Sequence, residues 1–266
     1  PRAAGSPALP RGRPAAARAP PGPGPRGPGP GITLETNLGF LPVDSRNLAV
    51  AAALRLREAT GAEWGSLSIH IDKRIPVCAG TAGGSSDAAA VLRGLNRLLG
   101  LGLSPAELAG IGKGVGSDVP YCVLGGTVLA TGRGEEVTPL PGLPACYVVL
   151  AKPGFPVSTP ELFAQLDGRR LRCHPDTAGM LSALEGGDLQ GVARRLFNMF
   201  EEVLLPRRRE QVEELKQALL DAGALGASMT GTGPTVFGLF REEERAAAAW
   251  EALKGRCPDV FLCRSL

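Results

Sequence analysis

The 266-residue sequence is poor in the side chains that build metal centres and nucleic-acid surfaces. It has two histidines, His70 and His174, and neither sits at a metal-ligand spacing. Its six cysteines, Cys78, Cys122, Cys146, Cys173, Cys257 and Cys263, include no C-x-x-C pair. That argues against a zinc site and makes reduced thiols in a cytoplasm the default. A net charge of only +3 lacks the strongly basic face that a nucleic-acid binder presents. No apolar run approaches the roughly 20 residues needed to span a bilayer, and there is no secretory hydrophobic region. The expectation is a cytoplasmic protein without a nucleic-acid or membrane partner. The 44% of hydrophobic residues are enough to build a core.

The first thirty residues lack still more. They are Pro, Ala, Gly and Arg with only Ser6 and Leu9 added, and they hold no acid, no aromatic and no β-branched residue. Such a segment cannot bury enough apolar surface to offset its ordering entropy, so residues 1–31 are expected to be disordered. An arginine-rich, acid-free leader also fits an organelle transit peptide. A third account is translation out of frame, because these residue types have G/C-rich codons.

Order is expected from Ile32, where Ile32–Thr36 alternates like a strand. Asp44 is placed as the cap of a helix over Arg46–Thr60 ended by Gly61. Ser66–Ile71 alternates again, with Leu67, Ile69 and Ile71 on one face and His70 on the other. Ala88–Leu99 has helical spacing, and Gly100 and Gly102 end it. Ser104-Pro105-Ala106-Glu107 has the form of a capping box. Tyr121–Ala130 reads as paired strands turned at Gly125-Gly126, and Ala145–Ala151 as a buried strand. Helices are expected over Thr159–Leu166, Glu185–Leu204, Glu210–Ala222 (with Val212, Leu215, Leu219 and Leu220 inward) and Glu242–Leu253. Apolar stretches flank Gly231-Thr232-Gly233-Pro234, and Val260–Cys263 is a last strand. Helices and strands mix without regular βαβ periodicity, which favours an α+β fold.

The informative segment is Pro76-Val77-Cys78-Ala79-Gly80-Thr81-Ala82-Gly83-Gly84-Ser85-Ser86-Asp87, leading straight into a helix. Gly80, Gly83 and Gly84 allow backbone N–H groups to approach a ligand closely. The Ser85 and Ser86 hydroxyls add donors, and a helix N-terminus attracts anions. Together they can cradle a polyphosphate; a glycine linker ending in a helix cap is the plain alternative. The segment lacks the lysine of a G-x-x-x-x-G-K-[ST] loop and the strand–G-x-G-x-x-G–helix pattern of dinucleotide sites.

With Ala88-Ala89-Ala90 behind it, this segment resembles the ATP-binding motif of the GHMP small-molecule kinases. Further blocks agree, in order: Ile71-Asp72-Lys73-Arg74-Ile75-Pro76; Gly116-Ser117-Asp118-Val119-Pro120 with Gly125-Gly126-Thr127 and Ala130–Glu135; and Thr230-Gly231-Thr232-Gly233-Pro234 with Val236-Phe237. The match runs from Ile32 to the C-terminus, and one departure is Thr81, where leucine is usual. The flanking detail is nearest the branch of the family in isoprenoid (terpenoid) biosynthesis whose substrate is a cytidine diphosphate-linked methylerythritol.

The resemblance implies a two-lobed α+β kinase. Its N-terminal half would be like the second domain of ribosomal protein S5 and its C-terminal half ferredoxin-like. An ATP-binding domain over residues 32–150 and a C-terminal domain over 151–266 are expected, with oligomeric state unspecified. ATP would lie on Pro76, Val77, Cys78, Ala79, Gly80, Thr81, Ala82, Gly83, Gly84, Ser85 and Ser86, with Mg²⁺ bridging the phosphates and Ser86 a candidate ligand. Asp118 would be the catalytic base, taking the acceptor hydroxyl's proton; read without the motif, it would cap the turn before Pro120. Phe163 would stack on the cytosine and Thr159 supply a hydroxyl, with Gly231 and Thr232 bringing backbone to the substrate; a core role for Phe163 stays open. Glu201 and Glu202, near Asn198, read as a solvated helix face, and Arg207–Arg209 as a solvated helix start.

One family block is absent from the sequence. A segment of the form Pro-Ala-Lys-x-Asn, whose lysine would orient the aspartate, is not found, and no lysine occurs before Lys73. Neither is the family's Asp-Gly-Tyr-His sequence, whose last two residues contact the cytidine. The expected consequence is a poor, marginally stable catalyst. Two alternatives stay open: a different small-molecule kinase of the family, or a nucleotide-binding remnant without turnover.

Overall fold

The computed structural model describes residues 16–18, 31–167 and 173–265. Of the segment read as disordered, residues 1–15 and 19–30 lie outside the described residues, while Ala16–Arg18 form a strand and Gly31 opens another. The chain packs as two compact units. One takes the described residues as far as 77 together with 82–139; the other takes 78–81 and the described residues from 140 onward. The division read from the sequence fell eleven residues later than 139, at 150, and gave the whole glycine-rich segment to the first half.

The first unit contains β1 (Ala16–Arg18), β2 (Gly31–Thr36), α1 (Leu48–Thr60), β3 (Ser66–Ile71), α2 (Gly83–Leu98), α3 (Pro105–Lys113), α4 (Val119–Leu124), β4 (Thr127–Thr131) and most of β5 (Glu136–Leu140). Strands β2 and β3 run parallel, in register from Gly31↔Ser66 to Thr36↔Ile71. A parallel pair needs a crossover, and α1 supplies it. β1 pairs antiparallel on the far side of β3, giving the order β1-β3-β2, and β4 pairs with β5. Period-two alternation puts Leu67, Ile69 and Ile71 into the core and leaves His70 outside, as expected. They pack with Ala49, Ala52, Ala53 and Leu56 of α1 and Ala88, Ala89, Val91, Leu92 and Leu95 of α2.

Three expectations for this unit need correction. Asn47, not Asp44, caps α1: its side chain accepts from Ala49 N–H, while Asp44 is engaged with Arg46. Helix α2 begins at Gly83, five residues earlier than expected, because the poor helix propensity of Gly and Ser hides its first turn. Tyr121–Leu124 is helical, not a strand. Pro120 pre-sets the first turn of α4, and Gly125 (φ 71°) and Gly126 (φ 72°) end it, leaving only Thr127 onward as strand.

The second unit is built on β6 (Tyr147–Lys152), followed by α5 (Thr159–Asp167), α6 (Thr177–Glu185), α7 (Leu189–Arg194), a 3₁₀ turn at Met199–Val203, α8 (Pro206–Asp221), β7 (Gly226–Met229), β8 (Val236–Phe240), α9 (Glu243–Lys254) and β9 (Asp259–Arg264). The sheet order is β7-β8-β6-β9, and every pair is antiparallel. Setting the extra helices aside, this is the split βαβ arrangement of a ferredoxin-like unit. Alternate residues serve opposite faces: Val149, Ala151, Val236 and Phe240 pack under α8 and α9, and Cys146, Val148, Phe237 and Leu239 under α6 and α7. The single helix expected over Glu185–Leu204 is broken, because Gly187 adopts φ 63° and Asn198 restarts the chain as a 3₁₀ turn. Leu220, expected inward, is 40% exposed. Among the described residues no helix is long and apolar enough to cross a membrane.

Candidate active site

In the first unit, α2 offers an open N-terminus. Its N-cap is Ala82, no side chain caps it, and no acid lies in its first turn. Helix α1 is capped by Asn47, and α3 by the Ser104–Glu107 capping box that the sequence suggested, whereas α4, α8 and α9 share with α2 an N-terminus without a side-chain cap. The first-turn amides of a 16-residue helix are therefore left for an external acceptor. The chain enters this helix through strained backbone. Cys78 (φ 53°) and Ala82 (φ 50°) are the non-glycine residues with positive φ among those described, and Gly80 between them has φ 69°. Left-handed conformation costs a non-glycine residue about 1–2 kcal/mol, and such outliers gather at functional sites.

Behind the helix end lies an ion pair. Lys73, 5% exposed, meets Asp87, 17% exposed, and Gly83 packs close by: a Cβ there would lie 2.8 Å from Ile75 Cγ2 and 3.1 Å from Lys73 Nζ. Burial pushes the Asp87 carboxyl above its usual range, and Lys73 draws it part of the way back. Ser85 is buried, and Ser86 Oγ lies 3.8 Å from Cys122 Sγ. Burial pushes the Cys122 thiol up; its bond to Ser86 opposes this, and the Asp118 charge adds to it.

Asp118 precedes α4, four residues before Cys122, so the two share a helix face. The Asp118 carboxylate is exposed and makes no capping bond to α4, which removes the plain capping role for it. The open end of α2 and the carboxylate of Asp118 are thus linked within one unit, through Ser86 and Cys122.

In the second unit, residues 78–81 lie against the turn between β7 and β8. Thr230 Oγ1 donates to Gly80 O at 3.1 Å. A Cβ on Gly80 would collide with Thr230 O and come 2.8 Å from Gly233 N, and one on Gly231 would come 2.9 Å from Gly80 O. Thr159 and Thr232 share a hydrogen bond of 2.8 Å. Phe163 is 50% exposed and meets Phe200 edge-on, with ring centroids 5.0 Å apart. Half its surface is therefore available, which does not fit a core role. Two residue groups of the sequence reading are thus gathered separately: Gly83, Gly84, Ser85, Ser86 and Asp118 in the first unit, and Cys78, Ala79, Gly80, Thr81, Thr159, Phe163, Gly231 and Thr232 in the second.

Against known proteins, residues 47–126 match the model of the GHMP kinases N terminal domain and residues 180–259 that of the GHMP kinases C terminal domain. The chain belongs to the GHMP kinase family. It is 46% identical over 233 residues, covering 88% of this chain and 79% of the relative, to the 4-diphosphocytidyl-2-C-methyl-D-erythritol kinase of Listeria monocytogenes serotype 4a (strain HCC23). The kinase of the same name from Levilactobacillus brevis is 48% identical over 235 residues, 88% of this chain and 82% of its own length. A crystal structure of 4-(cytidine 5'-diphospho)-2C-methyl-D-erythritol kinase superposes with a TM-score of 0.72 at 30% identity, covering 89% of this chain and 81% of that one. A homoserine kinase from Cytophaga hutchinsonii gives a TM-score of 0.74 at 24% identity over 90% and 83% of the two chains, a likeness of fold alone.

Two features of this GHMP kinase are absent from the expectations above. The Lys73–Asp87 pair was within reach, because the two residues bracket the glycine-rich segment. Glu201 was misread as solvated: its side chain is 13% exposed and accepts from Met229 N at 2.8 Å and Ser228 Oγ at 3.2 Å. The Asn198-x-x-Glu201 spacing, that of an N-cap and its third residue, was the available signal that the chain restarts there.

Proposed function

We propose that this GHMP kinase transfers the γ-phosphate of ATP to the 2-hydroxyl of 4-diphosphocytidyl-2-C-methyl-D-erythritol. The observation that carries the reading is the linkage of an uncapped α2 N-terminus to the exposed, uncommitted Asp118 carboxylate through the Ser86–Cys122 contact. The identity to relatives bearing that kinase name supports the substrate. The phosphates would rest on the backbone from Gly80 to Ser86, where glycines remove Cβ obstruction and the helix end favours negative charge. Asp118 would accept the proton as the hydroxyl attacks, a role that needs an ionised, accessible carboxylate. Phe163, with its exposed ring, would stack on the cytosine, and Thr159 with Gly231 and Thr232 would line the acceptor.

Among the described residues there is no group of three or more His, Cys, Asp or Glu placed to hold a metal. Ser86 is the residue that would hold a Mg²⁺ ion brought in with the nucleotide, and such an ion would neutralise charge on the transferred group.

The experiment is Asp118→Asn with radiolabelled ATP and 4-diphosphocytidyl-2-C-methyl-D-erythritol, homoserine and mevalonate as acceptors. The parent labels the first acceptor, and the variant loses transfer by about a hundredfold or more while its ATP affinity, read by calorimetry, stays within about twofold. Transfer that survives Asp118→Asn sinks the base assignment. Binding of ATP with no transfer by the parent would favour the remnant reading.

A further inference from the structure

The buried charges around the β7–β8 turn have no part in the chemistry above. Asn198 Nδ2 donates to Met229 O at 2.7 Å and to Gly231 O at 2.8 Å. Its Oδ1 accepts from Phe200 N–H, which fixes the side chain at the start of the 3₁₀ turn. Glu201 holds Met229 N–H and the Ser228 hydroxyl with one oxygen and Lys216 with the other, the last at 2.6 Å. Lys216 is 19% exposed and also reaches Glu213 at 3.1 Å. Burial draws the Lys216 ammonium down, but the bonds and charges of Glu201 and then Glu213 outweigh it, so it is held charged above the usual lysine range.

Three of these bonds, to Met229 N–H, Met229 O and Gly231 O, engage main-chain atoms, so they set backbone torsions in the turn. A partly buried ion pair is a poor way to gain stability, because apolar residues of like volume do as well or better. What the cluster adds is a fixed course for residues 229–231. That course meets Gly80 directly: the Thr230 hydroxyl donates to Gly80 O, and neither Gly80 nor Gly231 can carry a side chain there. The peptide joining Gly80 to Thr81 is planar, with its C=O and N–H pointing opposite ways. Holding Gly80 O towards Thr230 therefore aims the Thr81 N–H away from the turn.

We propose that Asn198 and Glu201, braced by Lys216, are positioning residues that act through Thr230 on the Gly80 carbonyl and so aim the Thr81 amide at the nucleotide's phosphates. The assignment deepens the nucleotide reading of the Gly80–Ser86 backbone and rests on it. It gives a polar cluster outside the glycine-rich segment a share in nucleotide affinity.

The test is ATP affinity by calorimetry on the full chain, with melting temperature recorded in parallel. Glu201→Ala, Asn198→Ala and Thr230→Val each leave a polar partner unmatched, so Kd for ATP rises by about tenfold. The conservative Thr230→Ser keeps the hydroxyl and stays within about threefold of the parent. Thr230→Val is close in shape to the native residue and disturbs no buried charge, so it reports even where Glu201→Ala fails to fold. Lower melting temperatures with parental ATP affinity in Thr230→Val overturn the proposal and leave the phosphate-loop reading standing. A parent that binds no ATP removes that reading itself.

Discussion

Gly80 concentrates the demands of the site on one residue. It needs a left-handed φ of 69°, and its α-carbon faces Thr230 O and Gly233 N with no room for a methyl group. Gly80→Ala therefore combines backbone strain with a clash against main chain, neither of which a rotamer change relieves. The expected outcome is a melting temperature lower by about 3 °C or more and the loss of ATP binding. Gly142→Ala, where a Cβ meets nothing within 4 Å, is the control and stays near the parent. The demand for glycine at Gly80 was legible in kind, because glycine is the residue for backbone that is left-handed or closely approached. The partner of Gly80 was not, since Thr230 lies 150 residues away and nothing local in the sequence joins them. Glu201 failed for the opposite reason: a glutamate on a supposed helix reads as solvent-facing, and only the tertiary fold brings Ser228, Met229 and Lys216 around it.

Among the elements, α2 matters most, and its first turn is where pattern reading gave way. The apolar spacing that marks the helix starts at Ala88, whereas hydrogen bonding starts at Gly83, with Ser86 N–H donating to Ala82 O. A turn made of glycine and serine has no periodicity to read. β2, β3 and the strands of the second unit were legible because alternation persists wherever one sheet face is buried. Helix α4 was mistaken for a strand because six residues are too few to separate a helical from an extended pattern. The Lys73–Asp87 pair ties the segment after β3 to the first turns of α2. At exposures of 5% and 17%, removing one partner strands the other's charge. Lys73→Met or Asp87→Asn alone is expected to cost about 3–5 kcal/mol in urea unfolding, with the double variant recovering a large part of that loss. Strictly additive losses in the cycle would show that the two side chains are not coupled.

At the scale of the whole molecule, the family was legible because separate blocks occur in the right order, and the family models fall on both units, at residues 47–126 and 180–259. The division between units was less so: it falls at the start of the short Pro139-Leu140-Pro141-Gly142-Leu143-Pro144 stretch, whose proline and glycine mark a turn as readily as a boundary. The sequence contains no Pro-Ala-Lys-x-Asn block. Fusing such a segment ahead of Ile32 supplies a cation for the developing charge, and phosphoryl transfer should rise by about a hundredfold or more over that of the 266-residue chain. Initial-rate assays on the two proteins make the comparison, and equal rates would show that this lysine has no such role here.

The excursion of Cys78–Thr81 into the second unit has a consequence for dissection. A gene cut between codons 139 and 140 sends Gly80 with the N-terminal fragment and Thr230 with the C-terminal one. Neither fragment is a transplantable module: one inherits four residues without their packing partner, and the other a turn with an empty seat. Swapping halves between relatives would therefore transplant a mismatched seam unless those four residues move with the C-terminal half.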